Sequence, residues 1–427
     1  MSSTASASRP GVRPGPAVTL GLVILCIEGY DLFILGAVGP SLLAHPDWDV
    51  TGSTLGLLGS LTALGMPLGS IAAGWAGDLY GRRLPMVISL AWLSLSMLLS
   101  ATADDLSVFA ATRFFTGMGV GALIPLVTAY VSEAATPSRH SLQVGVATTG
   151  LAIGGIITAV VGRSLLPEWD FRTLFLFGVI PLVLIPVVWR MVPGPTGDRT
   201  SRAPRTAESE PTPSSGRTAS ANRLGELLTP RYRRMTLLAW ASTFVGLVIV
   251  YGASTWLPAL MVDAGYDLRS SLEFAIAFNS GAVIGTIGAA LISDRGFLKL
   301  ATIASFLLAG AAMIVLSTPQ ARPLLLLASA VAGFGALGSQ TLINIFVARS
   351  HPAHLRGTAL GFSLGVGRVG AIVGPSYLAA VTVLISSPKA GFYAFVVPAV
   401  LGAALIGLLH SAPREAPEPQ PKADLAP

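Results

Sequence analysis

Two carboxylates, Glu28 and Asp31, interrupt the first apolar stretch of the chain. Residues three apart share one face of a helix, and Asp31 would lie roughly 20 Å along a helix that begins at residue 17. Two ionised carboxylates repel each other in a low dielectric, so we expect one to hold a proton near neutral pH. This pattern predicts a proton carrier; the alternative is a structural pair that hydrogen-bonds a neighbouring helix.

Two arginines also stand deep inside apolar segments. Arg368 lies among the glycines of residues 365–371, at a depth where an arginine must face a partner or a wet cavity. Its planar guanidinium suits a substrate carboxylate, although an ion pair with Asp31 or Glu28 is the alternative. Arg113 lies about 10 Å into the fourth segment, where it either binds substrate or extends to the outer membrane interface.

Amide and aromatic side chains lie within the seventh, eighth and tenth apolar segments. Gln340 and Asn344 are four residues apart on one helix face. Amides in a bilayer usually join helices, but amides beside an aromatic wall also suit a ring with polar groups. We predict that substrate is bound by Tyr251, Asn279, Gln340 and Asn344, whereas Trp256 also suits an anchor at the outer interface.

Glycine-rich charged loops follow the second and eighth segments, at residues 74–83 and 293–296. Opposite charges at facing helix ends can latch one side of a bundle and separate when that side opens. The alternative is charge that only sets membrane topology. The predicted latch on the inner side comprises Gly74, Asp78, Gly81, Arg82, Arg83, Glu133, Arg139, Asp294, Arg295 and Arg356.

Composition indicates that lipid is the solvent for the elements that position these residues. Of 427 residues, 52% are hydrophobic and only 11% are charged, against about 25% charged in soluble proteins. A spanning helix needs roughly 20 mostly apolar residues. Twelve such segments are predicted at 17–43, 54–77, 84–103, 106–133, 140–163, 171–192, 233–259, 270–293, 297–317, 322–348, 355–385 and 388–410.

The order of segments and charges predicts an all-α membrane protein of two pseudo-symmetric six-helix halves. Asp78 and Asp294 are separated by almost the same stretch of chain as Arg139 and Arg356, which indicates a duplication. Lysine and arginine concentrate on the side of both chain ends, which predicts cytoplasmic termini. The predicted regions are a disordered tail at 1–16, a half at 17–192, a cytoplasmic linker at 193–232, a half at 233–410 and a disordered tail at 411–427.

The sequence lacks the residue patterns that several functional classes require. The lone Cys26 cannot form a disulfide within the chain, and no glycine-rich phosphate loop precedes a lysine. The histidines stand at or near segment ends, and no catalytic cluster lies at one depth. We therefore expect no enzyme, no metal and no cofactor, with a proton gradient as the energy source. The net charge of +6 reflects topology rather than nucleic-acid binding.

Loop 74–83 closely resembles the signature loop of the major facilitator superfamily. Three further segments are similar to its aromatic acid:proton symporter family, which includes benzoate, hydroxybenzoate and 3-hydroxyphenylpropionate transporters. These segments are 28–31, 113–133 and 355–375. The resemblance implies the major facilitator fold and proton-coupled uptake of such acids by alternating access. It also implies that Asp31, Asp78, Arg113 and Arg368 matter.

The expected partners are therefore a small aromatic acid, protons and the lipid bilayer, for a monomer spanning a bacterial inner membrane. An exporter of drugs or other organic metabolites is the alternative, although a buried arginine argues against cationic cargo. The sequence departs from the family in three places. Many members carry aspartate where Glu28 stands, although some carry glutamate. The second latch loop lacks the usual paired arginines, and the central linker is longer and richer in proline.

Overall fold

The computed structural model describes residues 14–136, 139–194, 224–293, 297–385, 387 and 389–409. These residues form no strand, and twelve of their helical segments are long and apolar enough to span a membrane, which confirms the predicted fold class. We number the spans α1 to α12. They are Pro14–Leu43, Gly52–Tyr80, Arg83–Ala101, Leu106–Ala134, His140–Thr148 with Gly150–Leu165, Arg172–Leu176 with Pro181–Met191, Arg233–Asp263, Leu268–Ser293, Leu298–Leu316, Arg322–Ser350, Ala353–Leu384, and Ala390–Tyr393 with Val396–Gly407.

Local chemistry sets several helix boundaries. The Asp105 carboxylate accepts the Ser107 and Val108 amides at 2.8 and 2.9 Å, so α4 begins with a side-chain cap. The sixth predicted segment is continuous, but α6 narrows to a 3-10 turn over Phe177–Val179 before Pro181. The Pro181 nitrogen carries no hydrogen and cannot donate to the carbonyl of the preceding turn, so the α-helical hydrogen-bond pattern is interrupted there although Ile180 keeps helical backbone angles.

Close glycine contacts hold corresponding helices together in the two halves. A Cβ added to Gly117 of α4 would lie 1.9 Å from the Thr62 carbonyl oxygen of α2. In the second half, a Cβ on Gly333 of α10 would lie 1.8 Å from the Phe278 carbonyl oxygen of α8. Only glycine permits backbones to approach so closely, and both halves use this device at equivalent helix pairs.

The two halves meet at the end of the bundle that lies opposite the starts of α1 and α7. We call this end the far side and the other the terminal side. On the far side, the Ser60 hydroxyl of α2 donates to the Ile372 carbonyl of α11 at 2.6 Å. There too, a Cβ on Gly36 of α1 would lie 1.9 Å from the Ser254 carbonyl oxygen of α7. The far side is therefore closed by backbone contacts between the halves.

On the terminal side, α11 presents an uncovered glycine stripe. A Cβ on Gly357, Gly361 or Gly365 would meet no atom of another described element within 4 Å. These residues are four apart and share one helix face. The structure does not describe residues 195–223 of the predicted linker, residues 1–13 of the predicted first tail, or the predicted second tail at 411–427.

The last part of the predicted linker is structured and packs against the second half. Residues 224–227 form a helical turn in which Leu227 is fully buried. The Thr236 hydroxyl of α7 donates to the Leu227 carbonyl at 3.2 Å, and Glu226 lies 2.9 Å from the His354 imidazole of α11. The chain is thus fastened to the terminal side before α7 begins.

Candidate functional site

Arg368 lies half-buried in α11, at mid-depth and at the junction of the two halves. Its Nη1 donates to the Tyr251 hydroxyl of α7 and to the Met66 thioether of α2, both at 3.3 Å. The Tyr251 hydroxyl also lies 3.5 Å from the Met66 sulfur. Because Met66 belongs to the first half and the other two to the second, this cluster joins the halves near the membrane centre.

Glu28 of α1 lies within electrostatic reach of this cluster, and Asp31 follows it on the same helix. Glu28 is 0% exposed and Asp31 is 2% exposed, and among the described residues none donates a hydrogen bond to either carboxylate. Glu28 interacts electrostatically with Arg368, whereas the opposite charge that acts on Asp31 is Arg113. A structural pair would need hydrogen bonds to a neighbouring helix, and buried charges without them contribute little to stability. A proton-carrying role for the two acids stays a prediction.

Arg113 is fully buried inside the first half, between α3, α4 and α6. Its Nη2 donates to the Ser100 hydroxyl and, at 3.1 Å, to the Thr116 hydroxyl. The guanidinium lies 5.3 Å from the centre of the Phe109 ring and 4.6 Å from that of Phe175, a cation–π arrangement. The arginine therefore does not extend to the outer membrane interface, and its contact with substrate stays a prediction.

Gln340 and Asn344 of α10 bind each other, as their spacing predicts. The Gln340 Nε2 donates to the Asn344 Oδ1 at 3.3 Å. The Gln340 Oε1 accepts no hydrogen bond from a described residue and lies 2.9 Å from where a Cβ on Gly246 of α7 would stand. The pair thus keeps one unused acceptor against α7, which suits either a helix contact or a ligand.

Asn279 of α8 lies apart from the arginine cluster. Its Nδ2 donates to the Ala275 carbonyl at 2.9 Å, and its buried Oδ1 lacks a donor among the described residues. It lines a small cavity between α1, α5, α7 and α8, together with Gly155, Phe33 and Ser254. Asn279 therefore belongs to the contact between the halves rather than to the surroundings of Arg368.

Trp256 of α7 does not anchor the protein at a lipid interface. Its side chain is 3% exposed, and its Nε1 donates to the Pro375 carbonyl of α11 at 3.0 Å. This hydrogen bond fastens two helices of the second half near the far side. It also fixes the α7 backbone that carries Tyr251 one and a half turns earlier.

Members of the predicted latch form contacts inside the first half. The Arg82 Nε lies 3.4 Å from the Glu133 carboxylate, which joins the turn between α2 and α3 to the end of α4. The Arg83 Nε donates to the Val192 carbonyl at 2.6 Å, and its guanidinium lies 5.4 Å from the centre of the Trp189 ring. These contacts fix α3 against the end of α6 on the terminal side.

Glycine has a conformational role at one predicted latch position and none at another. Gly81 has a φ of 75°, in the region that favours glycine, so it makes the turn from α2 to α3. Gly74 has open space where a Cβ would stand. The side chain of Asp78 and all of Asp294 and Arg295 lie outside the described residues.

In the second half, Arg356 turns back onto the preceding helix end. Its Nε donates to the His351 carbonyl at 3.1 Å. Arg139, its counterpart in the first half, has an exposed side chain. Whether these groups latch the terminal side stays a prediction.

Sequence reasoning missed a charged cluster on the far side. The Arg163 guanidinium of α5 lies 3.0 Å from the Glu273 carboxylate of α8, which also binds Arg322 of α10. Nearby, Arg269 lies 3.8 Å from Glu168. The arginines were interpreted only as topology signals, although opposite charges at the ends of α5 and α8 were a usable signal. Two of these three ion pairs join the halves.

The chain is similar in sequence and in fold to known membrane transporters. Residues 21–375 match the sequence profile of the Major Facilitator Superfamily. The chain is 35% identical to a gentisate transporter of Corynebacterium glutamicum over 92% of this chain and 87% of that one. It is 30% identical to a benzoate transport protein of Acinetobacter baylyi, covering 94% and 91%. The crystal structure of a D-xylose–proton symporter superposes with a TM-score of 0.74 at 17% identity, covering 92% and 97%.

Proposed function

Because the chain belongs to the major facilitator superfamily, we propose that this multi-pass membrane protein takes up an aromatic carboxylate together with protons. The relatives named for gentisate and benzoate transport support an aromatic acid as cargo. Arg368 would meet the substrate carboxylate and be exposed alternately to the two sides of the membrane.

A single observation carries this proposal: Arg368 lies at mid-depth where the two halves meet, and its guanidinium donates only to neutral groups among the described residues. A guanidinium presents a planar set of donors that matches a carboxylate, and such charge-assisted pairs are strong in a low dielectric. The phenol of Tyr251 beside it supplies both a donor and an aromatic surface. These groups together suit a benzoate-like anion.

The acid pair would couple this binding to protons. An ionised Glu28 attracts the guanidinium of Arg368, and a proton on Glu28 removes that attraction. The guanidinium is then available to the substrate anion, so proton and anion bind in the same state of the protein. Asp31, held beside Arg113, would pass the proton onward. A single proton moving with a singly charged anion would carry no net charge through the bilayer.

The same scheme assigns the sides of the membrane. The terminal side would face the cytoplasm of a bacterium across its inner membrane, since lysine and arginine concentrate there. The closed far side would then face outward, and the structure would correspond to the inward-facing state. The proton gradient would supply the energy, with no cofactor and no chemical conversion of substrate, in a monomer.

Uptake into proteoliposomes under an imposed proton gradient tests the function. Labelled gentisate and benzoate should accumulate, whereas benzamide, which lacks the carboxylate, should not. Protein-free liposomes report how much protonated acid enters through the bilayer alone. Accumulation equal to that of protein-free liposomes for both acids would contradict the proposal. Extrusion of lipophilic compounds without acid uptake would instead favour an exporter.

Asp31→Asn tests the proton role. The variant should lose gradient-driven accumulation while retaining exchange of labelled for unlabelled gentisate, because exchange needs no net proton movement. Asp170→Asn, on an exposed acid that pairs with Arg172, is the matched control and should transport like the wild type. Gradient-driven accumulation by Asp31→Asn at the wild-type level would contradict a role for this acid.

A further inference from the structure

Met66 contacts Arg368 from the opposite half of the protein. It lies 14 residues into α2, roughly 21 Å along the helix, and its side chain is fully buried. The sulfur accepts from Nη1 of Arg368 at 3.3 Å and lies 3.5 Å from the Tyr251 hydroxyl. One thioether therefore faces both polar groups to which a substrate carboxylate would bind.

A thioether is a poor partner for a guanidinium. Methionine sulfur is a weak acceptor, whereas hydrogen bonds from arginine to a carboxylate are roughly twice as strong as neutral ones. Among the described residues only Nη1 of the guanidinium is hydrogen-bonded, so Nη2 and Nε keep their donors. Glu28, the acid that acts on Arg368 electrostatically, accepts no hydrogen bond from it. Of the two neutral groups that accept from the guanidinium, the Tyr251 hydroxyl and the Met66 thioether, the thioether is the weaker acceptor and the one that a carboxylate readily replaces.

We propose that Met66 is the residue that a substrate carboxylate displaces from Arg368, an inference that rests on the proposed function. In the empty protein the thioether accepts hydrogen bonds from Nη1 of Arg368 and from the Tyr251 hydroxyl. The arriving carboxylate takes both donors, and the unbranched methionine side chain turns aside. Met66 therefore sets the affinity for carboxylates without contributing a bond to them.

The displacement also changes how the halves are joined. Met66 belongs to α2, whereas Arg368 and Tyr251 belong to α11 and α7. Substrate binding would replace this mid-membrane contact between the halves by bonds from the substrate to the second half alone. A ligand shifts a conformational equilibrium only through such a difference between states. Loss of the Met66 contact supplies that difference where the substrate binds.

Two substitutions at Met66 test the proposal through gentisate affinity, measured by calorimetry on purified protein. Met66→Leu conserves volume and removes the acceptor, so the dissociation constant should fall by about fivefold. Met66→Gln provides a stronger acceptor that competes with the substrate, so the dissociation constant should rise by roughly tenfold. The expected order of affinity is leucine, methionine, glutamine. The affinity for benzamide, which has no carboxylate, measured directly in the same way, should not follow this order.

Chemical reactivity of Arg368 gives a readout that needs no substrate. The rate of its modification by p-hydroxyphenylglyoxal, followed by mass spectrometry, should rise in Met66→Leu and fall in Met66→Gln. This measurement keeps the inference testable if the wild type binds neither gentisate nor benzoate, a result that would refute the proposed function alone. Equal modification rates in the three proteins would overturn the role of Met66.

Met86→Gln is the matched control, because Met86 of α3 is also fully buried in the first half. It should lower thermal stability, as burial of an amide does, without changing gentisate affinity or Arg368 reactivity. Weaker gentisate binding in Met66→Leu would show that the thioether assists the substrate and would overturn the proposal. Equal gentisate affinities in wild type, Met66→Leu and Met66→Gln would overturn it as well.

Discussion

Arg113 and Asp31 are buried ionisable residues of the first half that interact electrostatically. The arginine is anchored by the hydroxyls of Ser100 and Thr116, whereas the carboxylate has no hydrogen-bond donor among the described residues. The two interact electrostatically without direct contact. Arg113 therefore supplies a fixed positive charge to an acid that is otherwise free to change its protonation state.

Removal of the charge of Arg113 should destabilise the fold. We expect Arg113→Met to cost about 3 kcal/mol, because Asp31 then lacks a compensating charge, and to lower the melting temperature in detergent by several degrees. Arg113→Met combined with Asp31→Asn should recover part of this loss, since neither charge then remains. The exposed pair Arg172 and Asp170 is the control, with a coupling below about 1 kcal/mol. Strictly additive losses at Arg113 and Asp31 would contradict the pairing.

Helix contacts within a half and between the halves have the same geometry but different consequences. Gly117 lets α4 contact α2 inside the first half, and Gly36 lets α1 contact α7 across the junction. The helices of one half pack together in every state of a rigid-body transporter, whereas contacts across the junction form and break. The same substitution at these two glycines should therefore have separable effects.

Alanine at Gly36 should impair transport rather than stability. Its Cβ would collide with the Ser254 carbonyl only when the far side is closed, so we expect gentisate transport to fall on the order of tenfold. In Gly117→Ala the new Cβ would collide with the Thr62 carbonyl in every state, because both helices belong to one half. The melting temperature of this variant should therefore fall by several degrees. Gentisate uptake and thermal unfolding in detergent measure the two effects. A large stability loss in Gly36→Ala with unchanged transport would contradict this distinction.

At the scale of the whole molecule, closure of the far side rests on backbone contacts and on the charged cluster around Glu273. This carboxylate bridges Arg163 of the first half and Arg322 of the second, and it is more buried than either arginine. The pair of Arg269 and Glu168 is longer and more exposed, so it contributes less. A single carboxylate thus joins α5, α8 and α10 when the far side is closed.

Glu273→Gln should open the far side more often. With Ser254→Cys as the reporter in a Cys26→Ser background, we expect labelling by a membrane-impermeant maleimide to accelerate by about fivefold, equivalent to roughly 1 kcal/mol. Glu168→Gln should change the rate by less than about twofold, and high salt should reduce the difference by screening the cluster. Equal labelling rates in Glu273→Gln and its parent would show that this cluster does not control opening of the far side.

The sequence by itself determined the twelve spans, their grouping into two halves and the charged residues at mid-depth. Apolar length and charges inside apolar segments are local signals, because a bilayer leaves few other places for such residues. Only the tertiary structure decided which helix faces meet. It put Asn279 at the junction of the halves and Arg113 in an aromatic enclosure. It also brought Met66, an apolar residue in an apolar segment, onto Arg368. A contact between side chains some 300 residues apart depends on how the halves pack, and hydropathy along the chain carries no information about it.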